Sequence, residues 1–281
     1  MTDRIALCGY FLSGYSSPED FFKKVRVASE LDVFEFGIPT VDPFLDGPVI
    51  SNAHKKVIDY LGIYTESALA LIGALWEIPQ PRFVMTYTKE CRNFKDFVKI
   101  CARNNIQGIF APDIDLQEAQ YVNEIAKEFN LAFLSFIDTN LLDEDIVKKV
   151  EISDIVYLKA SKGTTGEFAD TNGSLYQDLS ETIMHIRNHK PEILIAVGIG
   201  IQKSEQIKTL VGLDINMVVV GTKIMEHMEL GEEQLAKYIH ELHKATFLPY
   251  NTNKCFTKYY YHDDSFSYNS KKTKKEREKS F

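Results

Sequence analysis

The feature that most constrains the fold of this chain is a regular alternation of short apolar segments with longer amphipathic ones over its first 250 residues. Near-continuous apolar strands that alternate with amphipathic helices are typical of a parallel sheet covered by helices. Eight such strands in succession favour a closed (β/α)₈ barrel, and a chain of 281 residues can hold one such barrel of about 250 residues. The predicted strands are Ile5–Phe11, Val33–Phe36, Phe83–Thr86, Gly108–Ala111, Ala132–Phe136, Ile155–Leu158, Ile193–Val197 and Met217–Val220.

The two ends of the chain depart from this alternation. The first predicted strand begins at about Ile5, which leaves no room for the helix that usually closes the N-terminal mouth of the barrel. Residues 251–281 show no helical or strand period, and they carry eight Lys and Arg against four Asp and Glu. Such a segment buries too little apolar surface to offset its chain entropy. We therefore predict a barrel over residues 1–250 and a polar, mobile basic tail over residues 251–281, with partner or membrane-surface binding by the tail as the alternative.

Composition and charge exclude several classes of function. The net charge of −8 speaks against a nucleic-acid-binding domain, which would be basic. The chain has no apolar run of about 18 residues and no secretion signal, so no membrane span is expected. The cysteines have no metal-ligand or paired spacing, which predicts reduced, mostly buried thiols, no metal site and a cytoplasmic protein. They are Cys8, Cys91, Cys101 and Cys255.

Two carboxylates near the end of the second predicted strand are the candidate catalytic residues. Glu35 has apolar neighbours on both sides, and burying a carboxylate costs several kcal/mol unless it is paired or protonated. Asp46 follows eleven residues later, after a loop containing Pro39 and Pro43 that can return it to the same mouth of the barrel. Two carboxylates in different surroundings can supply one neutral acid and one ionised group. The alternative is structural, with Glu35 in a salt bridge and Asp42 or Asp46 capping the next helix.

Glycine turns after the last two predicted strands indicate a phosphate site. Gly198 and Gly200 let backbone N–H groups approach an anion, and Gly221 precedes a helix that begins near Thr222. Turns after strands 7 and 8 form the usual phosphate site of such barrels. Alternatively, these glycines only close tight turns between strand and helix.

Longer segments resemble the tryptophan synthase α-subunit family. The most specific is EFGIPTVDPFLDGPVI at residues 35–50, which is similar to the signature of that family. Residues 11–21 resemble its first strand and loop, and residues 157–166 resemble its sixth strand and mobile lid. The resemblance extends from about Ile5 to about Glu241. It implies a lyase of tryptophan biosynthesis that cleaves indole-3-glycerol phosphate to indole and glyceraldehyde 3-phosphate by a retro-aldol reaction.

The resemblance also implies roles for individual residues. Glu35 would be the general acid–base, and Asp46 would accept a hydrogen bond from the indole N–H. Asp42 would bond to Thr165 when the lid closes. The remaining implied contacts are Tyr87 and Tyr157 for the substrate and Gly166, Gly198, Gly200, Gly221 and Thr222 for the phosphate. For the two tyrosines, packing within the barrel is the alternative. No cofactor is implied for this chain, because pyridoxal phosphate would belong to a β-subunit partner.

Departures from the family lie mainly on the face that would meet a β subunit. Thr88-Lys89-Glu90 follows Tyr87 where the family usually has Asn-Pro, and Asp113-Ile114-Asp115 replaces its Asp-x-Pro. The chemistry therefore looks better preserved than the docking surface, and docking to a β subunit stays open. Two other functions are compatible with the sequence. One is a barrel that binds a phosphorylated ligand and regulates a partner without catalysis, and the other is a lyase or isomerase for another sugar phosphate.

Overall fold

The computed structural model describes residues 4–139, 141–160 and 174–247. Eight parallel strands form a closed barrel in chain order, with β8 pairing back to β1. The strands are β1 Ala6–Leu12, β2 Val33–Gly37, β3 Arg82–Met85, β4 Gly108–Phe110, β5 Ala132–Ile137, β6 Ile155–Lys159, β7 Leu194–Gly198 and β8 Met217–Val220. The (β/α)₈ fold is confirmed, and each predicted strand is found with its ends moved by at most one residue.

Amphipathic helices cover the outside of the barrel. The described helices are α1 Pro18–Val27, α2 Pro48–Leu61, α3 Thr65–Gly73, α4 Phe94–Arg103, α5 Leu116–Glu128, α6 Asp143–Glu151, α7 Ser174–His189, α8 Ser204–Leu210, α9 Thr222–Leu230 and α10 Glu232–Ala245, with a 3₁₀ turn at Thr88–Glu90. Helix α1 shows why they form where they do. Ser17 accepts a hydrogen bond from the Asp20 N–H as N-cap, Pro18 starts the helix, and Phe21 and Val25 face the core.

Alternation along β2 decides which of its side chains face the barrel interior. Phe34 and Phe36 stack with ring centroids 5.7 Å apart, and Phe36 meets Phe21 of α1 edge-on at the same separation. Successive side chains of a strand point to opposite faces of the sheet. Because Phe34 and Phe36 face the helical layer, Glu35 between them points into the barrel.

The described part of the chain begins at Arg4, two residues before β1. Arg4 pairs with Phe247 in an antiparallel bridge, and the Ile5 N–H donates to the Thr246 carbonyl at 3.1 Å. Arg4 also forms an ion pair with Asp32, which accepts the Leu7 N–H at 2.8 Å. The segment after α10 therefore lies against the start of β1. Residues 251–281 are outside the described residues, so the predicted boundary at residue 250 and the predicted tail stay predictions.

Candidate active site

A pocket opens at the C-terminal ends of the strands. It encloses about 580 Å³, including the part open to solvent. Polar groups are few on a mainly apolar wall, as is usual for a small-molecule site. The lining residues are Tyr10, Glu35, Leu45, Asp46, Ile50, Met85, Phe110, Pro112, Tyr157, Ile199, Gly200, Ile201, Gln202, Val219, Gly221 and Thr222. The structure thus brings both predicted carboxylates and both predicted glycine turns to one pocket.

Glu35 lies in this pocket as a buried carboxyl group. It is 6 % exposed, and within the described part of the chain its side chain has neither an ion pair nor a hydrogen bond. Burial, and then the nearby charge of Asp46, raises its pKa from the ordinary 4.5 to about 8. Glu35 is therefore largely protonated at neutral pH and can donate a proton. Within residues 4–139, 141–160 and 174–247, Glu35 forms no salt bridge of the kind that the structural alternative required.

Asp46 reaches the pocket from the loop between β2 and α2. Its N–H donates to the Pro43 carbonyl at 2.9 Å, and its own carbonyl accepts from the Ser51 hydroxyl at 2.9 Å. The N-cap of α2 is Gly47, which makes no side-chain capping bond. Asp46 therefore does not cap the helix, and its carboxylate is directed to other groups. Its side chain is only 5 % exposed.

Tyr87 contacts Asp46 directly. Its hydroxyl donates to Asp46 Oδ2 at 3.0 Å and accepts from the Leu45 N–H at 3.3 Å. Its ring is fully buried and packs on Phe44 at 5.0 Å between centroids. Tyr87 thus lies behind Asp46, outside the set of pocket-lining residues. This placement serves the orientation of the carboxylate, and the predicted substrate contact of Tyr87 stays a prediction.

Tyr157 lines the pocket from β6. Its ring stacks on Phe110 with centroids 4.7 Å apart and planes inclined by 7°. A Cβ atom on Gly198 would lie 2.0 Å from the Tyr157 hydroxyl. Gly198 is therefore needed for the close approach of Tyr157, and it does not itself line the pocket. Its predicted phosphate contact stays a prediction.

The turn after β7 has a strained backbone at the pocket wall. Ile199 has φ of 61° and Gly200 has φ of 102°. Positive φ is unusual for a β-branched residue and costs of order 1–3 kcal/mol unless the surroundings enforce it. Gln206 of α8 enforces it here, since its amide donates to the Gly200 carbonyl at 3.0 Å and accepts from the Gln202 N–H at 2.8 Å. Tyr238 donates to the Gln202 carbonyl at 2.8 Å.

The turn after β8 presents the start of a helix to the same pocket. Gly221 is the N-cap of α9, and Thr222 is the first helical residue. Both line the pocket beside Gly200. The free N–H groups at a helix start and its positive dipole end attract anions. This is the arrangement expected of a phosphate-binding end of the pocket.

The lid predicted from the sequence is described only in part. Thr165 and Gly166 lie outside the described residues. Asp42, the predicted partner of Thr165, has a side chain 69 % exposed that pairs with Lys89 Nζ at 3.0 Å. Lys89 also donates to the Asp42 carbonyl at 3.1 Å, and the neighbouring Glu90 accepts from the Thr40 hydroxyl at 2.6 Å. The residues that depart from the family thus tie the loop after β3 to the loop after β2.

Besides Gln206, two residues at or behind the pocket wall were missed by sequence reasoning. His54 is fully buried on α2, and its Nε2 lies 3.7 Å from Asp46 Oδ2 and 3.5 Å from the Tyr10 hydroxyl. Tyr10 lines the pocket from β1, and Gly37 leaves the space for its hydroxyl, because a Cβ there would lie 2.1 Å from it. A signal for His54 existed in the sequence. It falls on the apolar face of α2, in the i, i+3, i+4 and i+7 spacing of the buried residues Ile50, Ala53, His54 and Val57.

Other chemical groups in the described residues offer no second centre. No group of three or more His, Cys, Asp or Glu side chains in residues 4–139, 141–160 and 174–247 could hold a metal ion. Cys8, Cys91 and Cys101 are buried free thiols, and burial raises the pKa of Cys91 to about 12, so it is a poor nucleophile. Cys255 lies outside the described residues. No helix in the described part of the chain is long and apolar enough to cross a membrane.

Comparison with solved structures supports the fold. The chain is similar to tryptophan synthase from M. tuberculosis, with a TM-score of 0.78 and 23% identity over 88% of this chain and 94% of that one. It is also similar to the tryptophan synthase α-subunit of the hyperthermophile Pyrococcus furiosus, with a TM-score of 0.75 and 22% identity over 86% of this chain and 99% of that one.

Comparison with known sequences identifies the family. The chain is 26% identical to the tryptophan synthase alpha chain of Pyropia yezoensis over 76% of this chain and 82% of that one. It is 28% identical to that of Bacillus cereus (strain G9842) over 80% of this chain and 86% of the other. The family profile described as tryptophan synthase alpha chain matches residues 1–251. The resemblance predicted from residues 35–50 is confirmed, and the chain belongs to the tryptophan synthase alpha chain family.

Proposed function

We propose that this chain cleaves indole-3-glycerol phosphate to indole and glyceraldehyde 3-phosphate, with Glu35 as general acid–base and Asp46 as acceptor of the indole N–H. Members of the tryptophan synthase alpha chain family are lyases that carry out this cleavage. The observation that carries the assignment of residues is the buried Glu35, with its pKa raised to about 8, in one pocket with Asp46. A carboxyl group whose pKa lies near neutral pH is suited to donate a proton and then accept one.

The two carboxylates account for every proton in the reaction. Glu35 in its neutral form gives its proton to C3 of the indole ring, which becomes a cation. Asp46 accepts the hydrogen bond of the ring N–H and stabilises the positive charge that develops on that nitrogen. The Glu35 carboxylate then takes the proton of the glycerol hydroxyl next to the ring. The bond from the ring to the glycerol breaks, its electron pair returns to the ring, and indole and the aldehyde are released.

The part of the pocket wall formed by the turns after β7 and β8 fits the phosphate group of the substrate. Gly200 and the start of α9 at Gly221 and Thr222 offer backbone N–H groups and a helix dipole to an anion. The predicted contacts of Gly198 and Gly166 belong to the same proposal. Tyr157, stacked on Phe110, supplies a flat apolar surface that can hold the indole ring.

The proposal also covers a partner subunit and the lid. Alpha chains of this family work with a β subunit and need no cofactor of their own. We infer that a β subunit can dock on this chain through the altered face around Thr88–Glu90, and that pyridoxal phosphate belongs to that subunit. The proposed lid bond would join Thr165 to the Asp42 carboxylate, which already pairs with Lys89.

A coupled assay tests the proposed cleavage. The purified chain is given indole-3-glycerol phosphate, with and without a tryptophan synthase β subunit, and indole release is followed. Wild-type chain should release indole, and Glu35→Gln should lower kcat by about 10²–10⁴-fold with little change in the affinity for glycerol phosphate. Glu124→Gln, on the exposed face of α5, is the matched control and should behave as wild type.

The same assay separates the alternatives. A barrel that only binds a phosphorylated ligand would bind glycerol phosphate and release no indole, and Glu35→Gln would change neither result. A lyase for another sugar phosphate would leave indole-3-glycerol phosphate intact but cleave an aldol phosphate that lacks the ring. Either outcome would reject the proposed reaction.

A further inference from the structure

We propose that His54 is a positioning residue, which holds Asp46 in the orientation that accepts the indole N–H. This inference rests on the proposed role of Asp46, and it assigns a function to a side chain that does not itself line the pocket. His54 lies in the second turn of α2, the helix that follows Asp46. It connects the start and the end of the loop between β2 and α2.

The first contact of His54 fixes the position of its ring proton. Nδ1 of His54 lies 3.0 Å from the backbone nitrogen of Thr40. A backbone N–H can only donate, so Nδ1 must be the acceptor and carry no proton. A neutral imidazole with an unprotonated Nδ1 carries its proton on Nε2. His54 therefore points an N–H group towards whatever faces Nε2.

Nε2 faces Asp46 and Tyr10. It lies 3.7 Å from Asp46 Oδ2 and 3.5 Å from the Tyr10 hydroxyl. Oδ2 of Asp46 is also the atom that the Tyr87 hydroxyl donates to at 3.0 Å. Two donors directed at one oxygen restrict the rotation of the carboxylate. A small shift of the loop would bring the His54 contact to hydrogen-bond length, where a charged acceptor strengthens it.

The neutral form of His54 is maintained by its surroundings. The side chain is fully buried, and burial lowers the pKa of His54 to about 3. Protonation would also destroy the acceptor that Thr40 needs. His54 thus acts as a fixed dipole that accepts from the Thr40 N–H and directs its Nε2–H towards the Tyr10 hydroxyl and Asp46.

An apolar residue would fill this position on α2 more cheaply, because buried polar groups cost free energy unless they are paired. Its neighbours on the same buried face, Ile50, Ala53 and Val57, are apolar. Both nitrogens of His54 face polar atoms, which indicates that the residue is kept for its contacts. The contact with Thr40 serves the loop backbone, whereas the contact with Asp46 serves the carboxylate.

Two substitutions separate these contacts. In His54→Asn, the amide oxygen can take the place of Nδ1 and still accept from Thr40, but the shorter side chain no longer reaches Asp46. In His54→Gln, the longer side chain can place its amide nitrogen near Nε2 and still donate to Asp46. Thermal melting of both variants shows whether the fold is retained.

Indole and indene serve as paired probes, because indene has the same shape and lacks the N–H. Dissociation constants for both are measured by calorimetry on wild type and variants, beside the cleavage assay. Wild type should prefer indole over indene. His54→Asn should reduce that preference and kcat by about tenfold with little change in KM, and His54→Gln should restore most of both.

The outcomes distinguish this inference from the proposed reaction. An unchanged preference in His54→Asn, or an equal loss in both variants, would overturn the positioning role while cleavage by wild type stands. Wild type that does not prefer indole would overturn the role of Asp46 and this inference with it. In a third outcome, wild type releases no indole but still prefers indole over indene, and only His54→Asn lowers that preference. This outcome would reject the proposed reaction and support the positioning role.

Discussion

The Tyr87 hydroxyl donates a hydrogen bond to Asp46 Oδ2 at 3.0 Å, so a residue that follows β3 orients a carboxylate carried by the loop after β2. The same hydroxyl accepts the Leu45 N–H at 3.3 Å, which fixes the loop on the residue before Asp46. Tyr87 is fully buried, so neither contact is open to competition from water. The orientation of Asp46 in the candidate site therefore depends on Tyr87, a side chain that does not line the pocket.

Tyr87→Phe tests this dependence. The substitution removes both hydrogen bonds and keeps the ring against Phe44, so we expect kcat to fall about tenfold and the free energy of unfolding to fall by about 1–2 kcal/mol. Steady-state kinetics and urea unfolding measure the two effects. Tyr60→Phe, at a tyrosine 80 % exposed on α2, is the matched control and should change neither. Unchanged kcat in Tyr87→Phe would show that Asp46 does not need this contact.

The strands could be predicted closely because their residue types leave little choice. β8 is Met217–Val220, with four apolar residues of which three are valine, and all of them are buried. Such runs suit only strands buried on both faces. Strand ends can be predicted less closely, since hydrogen bonding to the neighbouring strand decides them. Gly37 joins β2 through its pairing with Leu12 and Met85, which the sequence alone does not indicate.

The candidate site could be predicted where its residues are close in sequence. Glu35 and Asp46 belong to one continuous segment, and the turns at Gly200 and Gly221 directly follow strands. His54, Tyr10 and Gln206 were missed, because their contacts depend on how helices pack against the barrel. His54 and Tyr10 are 44 residues apart in the chain and meet only through the docking of α2 on β1.

The raised pKa of Glu35 predicts an alkaline limit to activity. Glu35 must hold a proton at the start of the reaction, and its pKa is raised to about 8, so kcat/KM should fall as pH rises through about 8. Because the charge of Asp46 contributes to this increase, Asp46→Asn should lower the pKa of Glu35. Carbon NMR titration of labelled Glu35 in wild type and Asp46→Asn checks that direction. A Glu35 that titrates near 4.5 in wild type would rule out its role as acid.

The same raised pKa predicts how stability depends on pH. The folded chain holds the Glu35 proton up to about pH 8, whereas the unfolded chain releases it near 4.5. Between these values the native state binds more protons, so this group lowers the free energy of unfolding as pH rises, by about 1.4 kcal/mol for each pH unit. Glu35→Gln removes the effect. Relative to wild type, its free energy of unfolding should therefore be a few kcal/mol higher at pH 9 than at pH 4.

Urea unfolding of Glu35→Gln and wild type at pH 4, 7 and 9 measures this difference. Glu124→Gln corrects for the loss of one negative charge at an exposed position. A difference between Glu35→Gln and wild type that stays constant across this range would contradict the buried, proton-binding state of Glu35.

Gly198→Ala probes the close contact behind Tyr157. The added Cβ would lie 2.0 Å from the Tyr157 hydroxyl and 2.5 Å from its Cζ, so the ring must move from its stack on Phe110. Overpacking of this kind costs about 1–3 kcal/mol. We expect the free energy of unfolding to fall by that amount and kcat/KM to fall at least about tenfold. Gly212→Ala is the control, since the nearest atom to its Cβ would be 3.7 Å away. Activity kept at the wild-type level in Gly198→Ala would show that the position of the Tyr157 ring is irrelevant to turnover.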